Sequence, residues 1–176
     1  MEKIAKFSKV SLDEFKKACE SFYSNFPKED ANSLIEKLWN EIKLPKRATK
    51  GSAGYDFFSP MGLAIPPKKS VKIPTGIRVQ IDDGWVLKLY PRSSLGFKYR
   101  LQLDNTVGIV DSDYFSSDNE GHIYAKITND SNENMTVMIS QGDGFMQGIF
   151  VQYGIVIDDE TDRTRNGGFG STNPNK

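Results

Sequence analysis

The sequence predicts an all-β domain with an added helical extension at its N-terminal end. Two contrasts carry that prediction. From about Lys43 onward the chain is a succession of short apolar runs separated by Gly, Pro, Asn and Asp, the pattern of a sandwich or barrel built from short strands. Before that point apolar residues recur at helical spacing between charged ones. A chain of 176 residues suffices for one domain with a sizeable core and a short appendage. We therefore divide it into a helical extension (1–41), a β-barrel domain (42–160) and a glycine-rich C-terminal arm (161–176).

The first element begins at Ser11-Leu12-Asp13-Glu14, a capping box in which Ser at N-cap and Glu at N3 satisfy each other's free N–H groups. Leu12, Phe15, Cys19, Phe22 and Tyr23 follow at helical spacing, and Pro27 punctuates. A second helix is predicted from about Glu29 to Ile42, with Leu34, Ile35, Leu38, Trp39 and Ile42 on one face; Pro45 closes it. Two helices of this length are not stable alone. Their apolar faces are expected to pack on the following domain or a neighbouring subunit; a docking site for another protein is the alternative.

The strands come next. Residues 71–73 lead through Pro74-Thr75-Gly76 into an alternating strand at 77–81, and Asp82-Asp83-Gly84 is a turn signal. Further strands are predicted at 85–90, 123–128, 135–139 and 145–151. Balanced charge, 23 basic against 23 acidic residues, leaves no global basic field to attract a nucleic-acid polymer. The single cysteine, Cys19, allows no internal disulfide and fits a reducing cytoplasm. No apolar run reaches membrane-spanning length, and the first residues carry no apolar signal core.

Chemistry concentrates in residues 91–114. Arg92, Ser93 and Ser94 sit beside Gly96; a guanidinium fork, hydroxyls and backbone N–H groups suit a polyanion. An alternating run at 101–110 holds Asn105, whose amide pairs a donor with an acceptor. The run ends at Asp111, with Asp113 and Tyr114 just beyond. A carboxylate so placed can orient a water and take its proton, although Asp-Ser-Asp is also ordinary turn chemistry. Phosphate binder, base reader, carboxylate and ring in one segment point to hydrolysis of a nucleotide phosphate.

Five segments, in order, resemble the motifs of the trimeric dUTP diphosphatases (dUTPases). They are Ala53-Gly54-Tyr55-Asp56, Pro91-Arg92-Ser93-Ser94-Leu95-Gly96, Gly108-Ile109-Val110-Asp111-Ser112-Asp113-Tyr114, Gly144-Phe145-Met146-Gln147, and Arg165-Asn166-Gly167-Gly168-Phe169-Gly170-Ser171-Thr172. One such motif is weak evidence; five in sequence are strong. The resemblance implies a jelly-roll-like barrel, a homotrimer with active sites shared between chains, and hydrolysis of dUTP to dUMP and pyrophosphate by attack on the α-phosphate.

By the same resemblance Asp111 is the general base. Tyr114 lies against the sugar and rejects a ribose 2′-OH by shape. Asn105, Gly108 and Val110 line the uracil pocket, where a wrong base would leave buried polar groups unpaired. Arg92, Ser93, Ser94, Gly96 and Gln147 hold the phosphates, and Asp56 is an outer-sphere partner, through water, of a Mg²⁺ ion. In the arm, Arg165, Ser171 and Thr172 grip the terminal phosphate, and Phe169 with Gly170 closes over uracil as a lid. Turn, strand-end and frayed-tail roles are the ordinary alternatives for these residues.

The match departs from the family between Tyr114 and Gly121, where 115–120 form a short insertion that leaves any role of Tyr124 open. The lone His122 is expected on a surface loop. Two other functions were weighed. A dCTP deaminase on the same fold needs a carboxylate near cytosine C4, and no clear second carboxylate is apparent in the base-reading run. A non-enzymatic binding module would use the helical extension as its working surface.

Overall fold

The computed structural model of the chain describes residues 2–161. Its first element is a strand that helical periodicity did not predict. β1 (Ala5–Lys9) pairs antiparallel with β6 (Ile77–Ile81), from Ala5 opposite Ile81 to Lys9 opposite Ile77. α1 (Leu12–Cys19) starts where expected, with Ser11 Oγ accepting from the Glu14 N–H at 3.1 Å. The reciprocal half of the capping box is not made. The Ser11 N–H and hydroxyl both donate to the Glu120 carboxylate, at 2.7 and 2.6 Å, and Glu14 turns inward.

The helix stops at Cys19, and Phe22 closes a 3₁₀ turn (Glu20–Phe22) instead of extending it. α2 (Lys28–Glu41) follows Pro27 directly; proline's fixed φ suits a helix start. It buries Ala31, Ile35 and Leu38. Leu34, assigned to that face from its spacing, is 37% exposed.

The two helices are not a separate layer. Val10, Phe15, Cys19, Ile35, Leu38 and Ile42 belong to the same apolar cluster as Phe57, Ile73, Leu87 and Ile127 of the barrel. Trp39 Nε1 donates to the Val10 carbonyl at 2.9 Å, and Lys9 Nζ reaches the Trp39 carbonyl at 2.8 Å. Gly76 has φ +70° and packs against Ile42 and Phe15. Any side chain there would strike both, so the turn leading into β6 closes only with glycine.

The largest sheet has five strands in the order β2 (Lys46–Arg47), β3 (Tyr55–Phe58), β12 (Gly144–Gln152), β7 (Trp85–Pro91) and β9 (Gly108–Val110), every neighbouring pair antiparallel. A second sheet runs β5 (Ser70–Pro74), β10 (Tyr124–Asn129), β8 (Leu101–Leu103), and β4 (Leu63–Ile65) pairs with β11 (Val137–Ile139). β6 shows the pleat: Ile77, Val79 and Ile81 point inward, while Arg78 and Gln80 point outward. The result is the expected all-β, jelly-roll-like fold.

The run at 101–110 is broken: β8 ends at Leu103, a turn intervenes, and β9 starts at Gly108. The Thr106 N–H bonds back to the Leu103 carbonyl at 2.9 Å, and Thr106 adopts φ +60°. The Arg-Ser-Ser cluster opens α3 (Ser93–Tyr99), a short helix ended by Arg100 at φ +49°. Among the described residues no helix is long and apolar enough to cross a membrane.

Candidate active site

The residues singled out from the sequence gather in two places beside β7: around its Pro91 end, and in a cavity next to Leu89. At the Pro91 end, the register of β12 brings three motifs together. Gln147 lies opposite Asp56 on β3 and Tyr90 on β7. Arg92 follows β7 directly. Its Nε stands 3.4 Å from Asp56 Oδ1, its Nη1 donates to the Gly144 carbonyl at 3.1 Å, and Gln147 Nε2 donates to the Pro91 carbonyl at 3.4 Å.

The glycines of this cluster are explained by the same contacts. A Cβ on Gly144 would run into the Arg92 guanidinium, and one on Gly54 would come within 2.8 Å of Gln147 Oε1. With both side chains partly exposed, the Arg92–Asp56 pair adds little stability, about 0–1 kcal/mol; its effect is to aim the fork. Ser93 and Ser94 are exposed in the first turn of α3, where backbone N–H groups have no intrahelical acceptor. Around Gly96 a Cβ would meet nothing of this chain within 4 Å, so a need for glycine there must come from outside the chain.

The second place is a cavity of about 430 Å³ between β7, β8, β9 and β10, within the range of small-ligand pockets. Leu89, Leu103, Ala125 and Met146 make its apolar floor, and Asn105 and Gly108 lie on its wall. A Cβ on Gly108 would come within 3.0 Å of Leu89 Cβ. Val110 is buried on the same strand.

Sequence reasoning missed the opposite wall, formed by Lys72, Tyr124 and Lys126. The signal was present in the alternation of β10, which puts Tyr124, Lys126 and Thr128 on one face, with Lys126 directly opposite Lys72. It also missed Asp104. A second carboxylate does lie in the base-reading run, on the cavity wall. Lys126 Nζ pairs with it at 3.0 Å, and the Thr128 hydroxyl donates to it. Burial works to raise the Asp104 pKa, but those hydrogen bonds outweigh it and hold the carboxyl below the usual range.

Asp111 directly follows β9 and caps the 3₁₀ turn Ser112–Ser116, half-buried, with its carbonyl accepting from the Tyr114 N–H at 3.2 Å. Tyr114 is 6% exposed. Its hydroxyl donates to the His122 carbonyl at 2.7 Å and accepts from Asn119 Nδ2 at 2.9 Å, which fixes the ring plane.

His122 is no surface residue: its exposure is 0%. The Gly76 N–H donates to its Nε2 at 2.9 Å, so the ring proton belongs on Nδ1, which faces Glu14 Oε1 at 3.1 Å. Burial lowers its pKa to about 3, against the opposing pull of Glu120. The same burial raises Glu14, and burial with the adjacent Glu14 charge raises Tyr124.

Arg92 and Asp111, by contrast, are far apart within one chain. Leu87 lies opposite Val110 and Leu89 opposite Gly108, so Asp111 falls beside Val86. From Val86 to Arg92 is six residues of near-extended chain, or about 20 Å at the usual rise per residue. Among the described residues no group of three or more His, Cys, Asp or Glu could hold a metal ion. Arg165, Phe169, Gly170, Ser171 and Thr172 lie outside the described residues.

Comparison with known proteins places this geometry. A family model described as dUTPase matches residues 40–173. The deoxyuridine 5'-triphosphate nucleotidohydrolase of Lactococcus lactis is 40% identical over 134 residues, covering 74% of this chain and 88% of that protein. Among solved structures, dUTPase from Streptococcus mutans aligns at TM-score 0.58 and 38% identity, covering 64% of this chain and 88% of that one. A mutant dUTPase from phage phi11 of S. aureus, solved to detail the coordination of a structural Mg(II) ion, shares the fold at TM-score 0.56 and 23% identity, covering 69% and 90%. Five motifs in order, a jelly-roll-like barrel and a family match over most of its length agree: the chain belongs to the dUTPase family.

Proposed function

We propose that this dUTP diphosphatase hydrolyses dUTP to dUMP and pyrophosphate by in-line attack on the α-phosphate of a water activated by Asp111. One observation carries the reading. Gly108 on the cavity wall opens β9, and Asp111 directly follows that strand, three residues on, or about 10 Å. That is the scale of a nucleoside measured from its base to its first phosphate.

The roles follow from chemistry. Asn105 and the β9 backbone offer donors and acceptors to the edge of uracil, over an apolar floor. Tyr114, its hydroxyl tied to His122, presents a fixed ring to the deoxyribose and leaves no room for a 2′-OH. Asp111 orients the water and takes its proton; pyrophosphate leaves as the water oxygen bonds phosphorus. Arg92, Ser93, Ser94 and Gln147 hold the phosphates and the charge that builds on them. Since Arg92 and Asp111 are about 20 Å apart in one chain, they act together only if a second copy brings its Arg92 to the first copy's Asp111. A homotrimer with three shared sites meets that need, and the arm from Arg165 closes each one. Held in the cytoplasm, such an enzyme limits uracil in DNA and supplies dUMP for thymidylate synthesis.

The donor set fits a Mg²⁺ ion that arrives with its triphosphate. Asp56 offers one carboxylate beside the Gln147 amide, enough for a contact through water and too little for a protein cage. Such an ion neutralises phosphate charge when bound. Asp104 does not favour deamination: a carboxylate held ionised by Lys126 and Thr128 is a poor proton acceptor.

The test is pyrophosphate release from dUTP, UTP, dCTP and dTTP, with and without Mg²⁺, for the native chain and Asp111→Asn. Release confined to dUTP and lost in the variant is expected. Undiminished release by the variant would remove Asp111 from the mechanism, and ammonia from dCTP would revive the deaminase.

A further inference from the structure

α1 lies outside the family match, which begins at residue 40, yet it bonds to a residue of the cavity wall. Glu14 is 9% exposed and points into the barrel. Its Oε1 takes the His122 Nδ1 proton at 3.1 Å and stands 3.3 Å from the Tyr124 hydroxyl. Tyr124 is a wall of the cavity. Its ring is held between the His122 imidazole, 4.3 Å between centroids, and the Lys72 ammonium, 4.2 Å from its centroid. The carbonyl of His122 in turn holds the Tyr114 hydroxyl. One carboxylate thus bonds directly to Tyr124 on the cavity wall and to His122, the residue whose backbone carbonyl holds the Tyr114 hydroxyl.

The insertion at 115–120 fastens the same helix from outside. Besides the two Ser11 bonds to Glu120, Arg78 donates to the Phe115 carbonyl at 2.7 Å and stacks 3.7 Å over the Phe115 ring. Gly121 has φ +70°, and a Cβ there would lie 2.7 Å from the Tyr114 carbonyl and Phe115 Cα. The loop after Asp111 is therefore folded tightly back against α1.

We propose that Glu14 is a positioning residue for the nucleoside pocket, acting through Tyr124 and His122, so that the helical extension sets how well this chain binds and selects its deoxynucleotide. The proposal rests on the assignment of that cavity to uracil. It requires no contact between Glu14 and substrate. Removing the side chain would strand the His122 N–H in the core and release the Tyr124 ring toward the cavity.

The experiment compares Glu14→Ala, Glu14→Gln and Tyr124→Phe in the full chain. It measures kcat and KM for dUTP and UTP, thermal melting, and dUMP binding by calorimetry. Glutamine keeps an acceptor oxygen at the position of Oε1; alanine does not. For Glu14→Ala we expect KM for dUTP to rise about tenfold with kcat within about twofold, the size of one lost hydrogen bond to a charged group, and the preference for dUTP over UTP to narrow. Glu14→Gln is expected to restore both. A lowered melting temperature with KM and the dUTP/UTP ratio unchanged would overturn the proposal, leaving Glu14 a structural residue only. So would a glutamine variant as impaired as alanine. Should alanine prevent folding, Tyr124→Phe decides: it removes one hydroxyl without opening the core, and an unchanged KM refutes the link. Calorimetry separates this from the functional reading, because dUMP affinity can follow Glu14 even if Asp111 proves not to be the base.

Discussion

Combining two damaged chains tests the shared site directly. Asp111→Asn removes the proposed base and should lower activity about 10²- to 10⁴-fold. Arg92→Ala removes the guanidinium that Asp56 and Gly144 aim, and should cost about 10²-fold. Each homogeneous variant is then nearly silent. The register of β7 and β9 puts the two lesions about 20 Å apart in one chain, so a site joining them must draw Arg92 and Asp111 from different copies. In a random equimolar mixture each contribution is intact with a chance of one half. About one quarter of the sites, and of wild-type activity at equal total protein, should return. A site built within one chain would return nothing, since every chain carries a lesion. The variants are co-refolded, mixed oligomers are verified by native mass spectrometry, and pyrophosphate release is followed. Mixed oligomers with no activity above the parents would refute the shared-site argument.

Other outcomes follow from single contacts. Gly144→Ala would push a methyl into the Arg92 guanidinium, and should raise KM for dUTP with little change in melting temperature, measured by steady-state kinetics and circular dichroism. Deleting residues 165–176 should abolish most activity while sedimentation shows the same oligomer; native turnover would remove the lid. His122 is held neutral, with its pKa lowered by burial to about 3. The unfolded chain therefore binds the extra proton between its ordinary 6.5 and about 3, and stability should fall as pH drops through that window and be complete above it. Glu14, raised by the same burial, opposes this just above its ordinary range, so His122→Gln should flatten the acid limb of melting temperature against pH.

Much of the barrel was legible because its strands alternate and its turns carry glycine. β6 and β10 announce themselves in that way. The cluster of Arg92, Asp56 and Gln147 was legible as residues but not as a place, since only register sets Gln147 opposite Asp56. β1 was missed because Ala5–Lys9 becomes a strand only by finding the free edge of β6, a partner about 70 residues away that no local pattern encodes. His122 was misplaced for a related reason. A lone histidine in a polar loop looks solvated until α1 supplies Glu14 to receive its proton. Tyr124 was left open because the insertion blurred the alignment, while its own alternation had the answer.

The bonds from Ser11 to Glu120 have a consequence for protein engineering. A segment ahead of the family core and a segment inserted within it are chemically mated, so neither is an independent ornament. Transplanting the six-residue insertion into a shorter relative would leave its glutamate without hosts, and trimming the leading helix here would unfasten the loop that follows Asp111. Chimaeras should exchange the pair together.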